Sequence, residues 1–177
     1  ELKNAKRVKF TNNHLKYCWG DGQGGEAFVL TVRQNPKTAT FCCIEDVLIQ
    51  NNLIESVGSG INILGRDDAK PWTPNDGMLK NVMILNNEFT DFNMHQWSGY
   101  GRQFAIRFGS ENLHLIGNKF SGGGFSTIIS FSGYEDSGEF YENLGFIFNE
   151  NTVDEGSYSV HGAGVPVTGV KEALDIY

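Results

Sequence analysis

The sequence predicts an all-β chain, a right-handed parallel β-helix (solenoid) of about five coils, and three observations predict it. The first is composition. The 177 residues include 22 Gly and 17 Asn but only four Pro, and 13 Phe supply core mass. So many turn formers with so few strong helix formers point to short strands joined by turns. The second is an internal repeat, in which five segments share one pattern: apolar, any, apolar, two residues, Asn, any, apolar. The third is that each copy is followed by a second short apolar-polar-apolar triplet and by no helical pattern.

The five copies run in order. Val8-Lys9-Phe10-Thr11-Asn12-Asn13-His14-Leu15 is followed by Val47-Leu48-Ile49-Gln50-Asn51-Asn52-Leu53-Ile54 and Val82-Met83-Ile84-Leu85-Asn86-Asn87-Glu88-Phe89. Leu113-His114-Leu115-Ile116-Gly117-Asn118-Lys119-Phe120 and Phe146-Ile147-Phe148-Asn149-Glu150-Asn151-Thr152-Val153 complete the set. The fixed asparagines Asn13, Asn52, Asn87, Asn118 and Asn151 are spaced by 39, 35, 31 and 33 residues. Each copy reads as a period-2 strand, a turn at Asn, and an apolar residue that resumes the core. The triplets that follow align as Leu30-Thr31-Val32, Ile61-Asn62-Ile63, Ile106-Arg107-Phe108, Ile129-Ser130-Phe131 and Tyr158-Ser159-Val160. Their central residues, Thr31, Asn62, Arg107, Ser130 and Ser159, are expected to face solvent.

Repeats of this length without a helix exclude leucine-rich and ankyrin architectures. A propeller needs tight antiparallel hairpins, and the Asn-Gly hairpin signal is absent. In a parallel β-helix, equivalent residues stack ~4.8 Å apart from coil to coil. The five asparagines then form a structural ladder. They pass amide hydrogen bonds between rungs, tolerate the left-handed turn conformation, or do both. The reading is one domain over residues 1–177, with repeat strands starting near 8, 47, 82, 113 and 146. Neither end carries an obvious capping element, so the chain reads as an internal slice of a longer solenoid, with further coils of the same parent chain as partners.

Function on a regular scaffold sits where loops bulge from it. From the first strand position to the start of the second strand, the copies span 22, 14, 24, 16 and 12 residues. The first and third are therefore enlarged at one corner. The first insertion carries Tyr17, Trp19, Asp21 and Glu26, and the third carries Phe92, His95, Trp97, Tyr100 and Arg102. Flat rings beside charged groups suit sugars, whose C–H faces stack on aromatics while hydroxyls need polar partners. Trp19, Asp21, Trp72, Trp97 and Tyr100 are the candidate substrate-binding residues. The alternative is that Trp19 and Trp97 simply fold back over the coil edge. The second copy bulges elsewhere, at Gly65-Arg66-Asp67-Asp68-Ala69-Lys70-Pro71-Trp72.

Charge and composition exclude several classes. With 14 Lys and Arg against 21 Asp and Glu the formal charge is −7, which argues against a nucleic-acid partner. No apolar run approaches the ~18 residues of a membrane span. Cys18, Cys42 and Cys43 set no disulfide framework and no zinc motif. His14, His95, His114 and His161 are scattered without metal-ligand spacing. Gly122-Gly123-Gly124 precedes a strand rather than a helix and reads as a turn. No metal site is expected.

The five NN-x-[LIF]-type repeats, with Gly58-Ser59-Gly60-Ile61-Asn62-Ile63-Leu64-Gly65 and Asp67-Asp68, resemble right-handed β-helix proteins of the pectate-lyase-like superfold. The resemblance covers residues 1 to about 165. It is nearest to bacterial extracellular β-helix proteins without an assigned activity. It implies an extracellular or cell-surface protein that binds or processes polysaccharide. If it is enzymatic, the resemblance implies a polysaccharide lyase or glycoside hydrolase. The alternative is a structural rod (fibre, adhesin or virus-tail stem) without chemistry. β-Helix hydrolases use paired carboxylates, and the catalytic candidates on that scheme are Asp67 and Asp68. β-Helix lyases bind a cation through acidic side chains and remove a proton with Arg or Lys. Arg107 with Asp67 or Asp68 is the candidate there, and Ca²⁺ is a cofactor only in that case. The chain departs from the polygalacturonase pattern of Asn-Thr-Asp, Asp-Asp, Gly-His-Gly and Arg-Ile-Lys, of which only Asp67-Asp68 and Val160-His161-Gly162 echo a part. Adjacent residues on a strand also point to opposite sides.

Overall fold

The computed structural model describes residues 1–18, 20, 24–33, 42–67, 77–124, 126–132, 142–153 and 160–161. β1 (Leu2–Lys3) lies one rung before the first coil, which contains β2 (Lys6–Thr11), β3 (His14–Cys18) and β4 (Glu26–Thr31). The second contains β5 (Ile44–Gln50), β6 (Leu53–Val57) and β7 (Ser59–Leu64). In the third, β8 (Leu79–Leu85), β9 (Glu88–Phe92) and the short helix α1 (Met94–Trp97) precede β10 (Arg102–Arg107). The fourth has β11 (Ser110–Ile116), β12 (Lys119–Phe120) and β13 (Thr127–Ser132). The fifth has β14 (Asn143–Leu144), β15 (Ile147–Asn149), β16 (Thr152–Val153) and β17 (Val160–His161).

The strands form three sheets, every one parallel. The first runs β1-β4-β7-β10-β13-β17, the second runs β2-β5-β8-β11 and ends on β14 and β15, and the third runs β3-β6-β9-β12-β16. Each strand therefore pairs with its counterpart one coil away, which makes the chain a parallel β-helix as the repeat predicts. Parallel pairing demands a crossover between partners, and here the other two sheets of the coil are the crossover.

Register turns the repeat into a core. Val8, Val47, Val82 and Leu113 lie in one column, and Phe10, Ile49, Ile84, Leu115 and Phe148 in another. Leu15, Ile54, Phe89, Phe120 and Val153 make a third on the adjoining sheet. Phe89 stacks on Phe120 with ring centroids 4.4 Å apart, and Phe104 meets Phe120 edge-on at 5.3 Å. Columns of like residues pack without voids because each rung presents the same shape to the next.

The two asparagines of each Asn-Asn pair divide the work. Asn12, Asn51 and Asn86 take left-handed φ values of 59°, 56° and 53°, and Gly117 and Glu150 follow in the same column. The next residue builds the ladder. Asn13 Nδ2 donates to Asn52 Oδ1 at 3.0 Å, Asn52 to Asn87 at 2.8 Å, Asn87 to Asn118 at 2.9 Å and Asn118 to Asn151 at 2.9 Å. The backbone amides of Asn13, Asn52, Asn87 and Asn118 donate to the same oxygens. From Asn52 onward Nδ2 also donates to a carbonyl of the preceding coil, such as Ile49 for Asn87 at 3.0 Å. Asn52, Asn87 and Asn118 are fully buried, which full pairing of the amide makes tolerable.

A second ladder stands six residues upstream. Arg7, Asp46, Asn81, Asn112 and Gly145 all take left-handed φ, between 52° and 64°, inside or beside a strand. Asn81 Nδ2 donates to Asp46 Oδ1 and Asn112 Nδ2 to Asn81 Oδ1, both at 3.1 Å. These are stacked bulges, where the strand turns slightly in every coil.

The alignment of the second strands needs correction. Ile61-Asn62-Ile63 pairs with Phe28-Val29-Leu30 on one side and with Phe104-Ala105-Ile106 on the other. Val160 pairs with Ile129. Three of the five predicted triplets are thus displaced by two residues. A shift of two preserves which face each residue occupies, so period-2 patterning cannot detect it. Thr31 sits beside Leu64 and is buried rather than solvent-exposed, which the shift of two does not itself account for. Ser159 lies outside the described residues. The corrected register shortens the spans of the first and third copies by two residues each, and both remain the longest.

Candidate binding groove

The two enlarged corners meet. Gly20, Gly24 and Gly25 of coil one and the segment from Ser98 to Tyr100 of coil three converge across coil two, which turns this corner with Gly58 alone between β6 and β7. A Cβ on Gly58 would lie 2.0 Å from the Ser98 carbonyl oxygen, and one on Gly20 2.3 Å from it. Only glycine lets the third-coil loop reach back across the second. Ser59 fastens the junction. Its hydroxyl accepts from the Tyr100 amide at 2.7 Å and donates to the Gly24 carbonyl at 2.9 Å.

Helix α1 shapes the loop's outer part. The Asn93 side chain caps it by accepting from the amides of His95 at 2.9 Å and Gln96 at 3.1 Å. Trp97 leans on Tyr17 with centroids 5.7 Å apart, and its indole N–H donates to Asp91 Oδ2 at 3.0 Å. The same carboxylate oxygen accepts from the Ser56 hydroxyl at 2.8 Å. Trp97 is therefore half-buried at the coil edge, tied down by a ring and a hydrogen bond.

Beside this junction, the outer face of the first sheet carries a groove of about 250 Å³. Its lining is Glu26 from β4, Asn62 from β7, Arg102, Ala105 and Arg107 from β10, with Gly24 and Tyr100 at the rim. Ala105 leaves the floor low, and the polar side chains come from three successive coils. Asn62 bridges them. Its Nδ2 donates to Glu26 Oε1 and its Oδ1 accepts from Arg107 Nη2, each over a long 3.4 Å. The Arg102 guanidinium lies 4.4 Å from the centre of the Tyr100 ring, which is 56% exposed.

The electrostatics are set by burial against charge. Burial pushes the Glu26 carboxyl above the ordinary glutamate range; a backbone hydrogen bond, Arg102, Arg107 and Asn62 pull it partly back. Glu26 Oε2 is buried and has no hydrogen-bond partner among the described residues. The groove thus offers two guanidinium groups, an exposed ring, an amide and one carboxyl that resists ionising. On a chain of formal charge −7, it is a local cationic site.

The predicted site residues separate. Arg107 and Tyr100 line the groove. Asp67 is 2% exposed and accepts from Arg33 Nη1 at 3.0 Å, away from the groove lining. Asp68, Trp19, Asp21 and Trp72 lie outside the described residues. Glu26 and Arg102, noted in the insertions but not assigned a role, join Asn62 as groove residues. Their signal in the sequence is that both flank an insertion, at the start of the strand that follows it. Among the described residues no cluster of three or more His, Cys, Asp or Glu could hold a metal. Calcium takes six to eight oxygens, and a lone carboxyl facing two guanidinium groups does not suit it. No described helix is long and apolar enough to cross a membrane.

Fold and groove together define a parallel β-helix with a cationic cleft on one outer sheet. Comparison with protein-family models, with curated proteins and with solved structures finds no match to this chain.

Proposed function

We propose that this chain binds polysaccharide in the groove of Glu26, Asn62, Tyr100, Arg102 and Arg107, and that the sugar unit it takes there is anionic. The observation that carries the reading is the pairing of two guanidinium groups with an exposed tyrosine ring on one rigid sheet. Guanidinium groups recognise carboxylate or sulfate in bidentate fashion, and the Tyr100 face accepts the C–H side of a pyranose. Asn62 supplies a donor and an acceptor for hydroxyls. Binding is favoured over hydrolysis, because a glycoside hydrolase needs two carboxyl groups flanking the bond and the described groove holds one. An extracellular or cell-surface setting and a place in the pectate-lyase-like superfold belong to the same reading, supported by the repeat pattern and the parallel coils.

Isothermal titration against a panel of neutral, uronate-containing and sulfated polysaccharides tests it. Binding to the anionic members alone is expected, weakened about tenfold or more by Arg107→Ala or Arg102→Ala as a charge-assisted hydrogen bond is lost. If no anionic glycan binds, or if both variants bind like the parent, the proposal fails. The rod reading draws on a different observation, the unbroken ladder through five coils, which stiffens the chain whether or not the groove is occupied.

A further inference from the structure

We infer that Tyr17 and Trp97 form a second sugar subsite, and that a glycan held in the groove runs on over the corner to stack a pyranose face on these rings. The inference rests on the polysaccharide reading of the groove. Among the described residues, the tyrosine, tryptophan and phenylalanine side chains that stand exposed are Tyr17, at 62%, and Tyr100, at 56%. They flank one corner, Tyr17 near the end of β3 and Tyr100 just before β10. A ring at position 17 goes against its backbone. Tyr17 has a φ of 62°, and its rung partners Ser56 and Asp91 share that conformation at 59° and 52°. Short polar side chains suit such a position because they bond locally, as Ser56 does in donating to Asp91 Oδ2 at 2.8 Å. Tyrosine has no such compensation, and its Cβ crowds the carbonyl that follows. Burial does not offset the cost either, since most of the ring faces solvent. A strained, bulky and exposed residue where asparagine would fit points to a use for the ring at the surface.

The two rings are held in place before any ligand arrives. Trp97 lies 5.7 Å from Tyr17, centre to centre, with the planes tilted by 52°, and its indole N–H is anchored on Asp91 Oδ2 at 3.0 Å. The loop is pinned again farther on, where the Ser98 carbonyl packs on Gly58 and the Ser59 hydroxyl holds the Tyr100 amide. Side chains already fixed in the free protein cost little to order on binding. Lys16 borders the pair, its ammonium 5.1 Å from the centre of the Tyr17 ring. That ammonium is shared with the Glu55 carboxylate at 3.6 Å, which His14 also contacts. The platform therefore has no surplus positive charge and suits the C–H face of a sugar rather than its acidic group. Trp97 and Tyr100 are three residues apart, so their Cα atoms lie within about 11 Å of each other. A short run of sugar units covers that distance, which puts the platform in reach of a glycan whose anionic unit sits at Arg102 and Arg107.

Titration calorimetry of the whole chain against disaccharides and hexasaccharides prepared from uronate and from sulfated glycans tests this. The parent should bind the hexasaccharide of the preferred glycan about tenfold or more tightly than its disaccharide. Tyr17→Asn should remove that advantage and leave disaccharide affinity unchanged, while Tyr17→Phe, which keeps the ring, should keep both affinities. Arg107→Ala should weaken binding at either length. Thermal melting supplies a second readout. Asparagine accepts the left-handed φ of position 17, so Tyr17→Asn should melt at or above the parent's temperature even as the long glycan is lost. A melting temperature several degrees below the parent's would make the ring pair a cover over the coil edge and overturn the inference. So would a hexasaccharide bound alike by the parent and Tyr17→Asn, an outcome that leaves the groove reading standing. If the parent binds neither length of any anionic glycan, the groove reading itself fails and this inference falls with it.

Discussion

The Ser59 hydroxyl holds the backbone amide of Tyr100 at 2.7 Å, joining coil two to a loop that begins a full coil later. The same oxygen donates to Gly24, so a single buried side chain ties both insertions to the sheet that carries the groove. Arg102 and Glu26, the first residues of their strands, follow these tethered loops. Groove geometry therefore depends on a residue that does not line it.

Removing that tether should loosen the groove before it unfolds the chain. Ser59→Ala leaves a buried amide and a carbonyl without partners, an expected cost of about 1–3 kcal/mol in urea unfolding. Glycan affinity should fall several-fold, as it would for a misplaced Tyr100 and Arg102. Ser59→Ala binding as tightly as the parent would show that the loops hold themselves in place.

The ladder predicts a contrast between neighbouring asparagines. Asn87→Leu removes the acceptor for the Asn52 amide and the donor to Ile49, with an expected loss of about 2–4 kcal/mol. Asn86→Gly, at a φ of 53° in the exposed turn, should change stability by less than about 1 kcal/mol. Equal losses at the two positions would contradict the division of roles.

Gln103 is fully buried, and neither atom of its amide has a partner among the described residues. Replacing it by the similarly shaped Met removes the unsatisfied groups and keeps the volume. Gln103→Met is expected to raise stability by about 1–2 kcal/mol. A drop instead would mean that the amide is satisfied by enclosed water.

Glu26 gives a pH dependence with a definite sign. Its folded pKa lies above the unfolded value, so the folded state binds more protons and loses stability as pH rises from the ordinary glutamate value through the raised one. In Glu26→Gln this part of the stability profile should flatten. Binding follows the same sign. A sulfated glycan, which does not titrate in this range, should bind more tightly below the Glu26 pKa than above it, and Glu26→Gln should hold the tighter affinity throughout. A parallel profile in parent and variant would remove Glu26 from the groove's electrostatics.

Much of this was legible in the chain. The interval between Asn13, Asn52, Asn87, Asn118 and Asn151 determined a coil, its core columns and its ladder, because like residues at like positions can stack only if the backbone returns to the same place each turn. The long first and third spans marked the functional corner. The bulge column of Asp46, Asn81 and Asn112 was equally periodic and went unread, since its residues resemble ordinary surface polar positions.

Tertiary structure alone decided the rest. Apolar-polar-apolar triplets match equally well after a slip of two, so only hydrogen-bonded pairing could set Phe28 beside Ile61 and Ile61 beside Phe104. Glu26, Asn62 and Arg107 are separated by 36 and 45 residues and share no local motif. They meet because the insertions between them have particular lengths and the coils stack at a fixed height. Periodicity in a chain fixes the rung; the chemistry on its surface depends on the register between rungs, which no single rung contains.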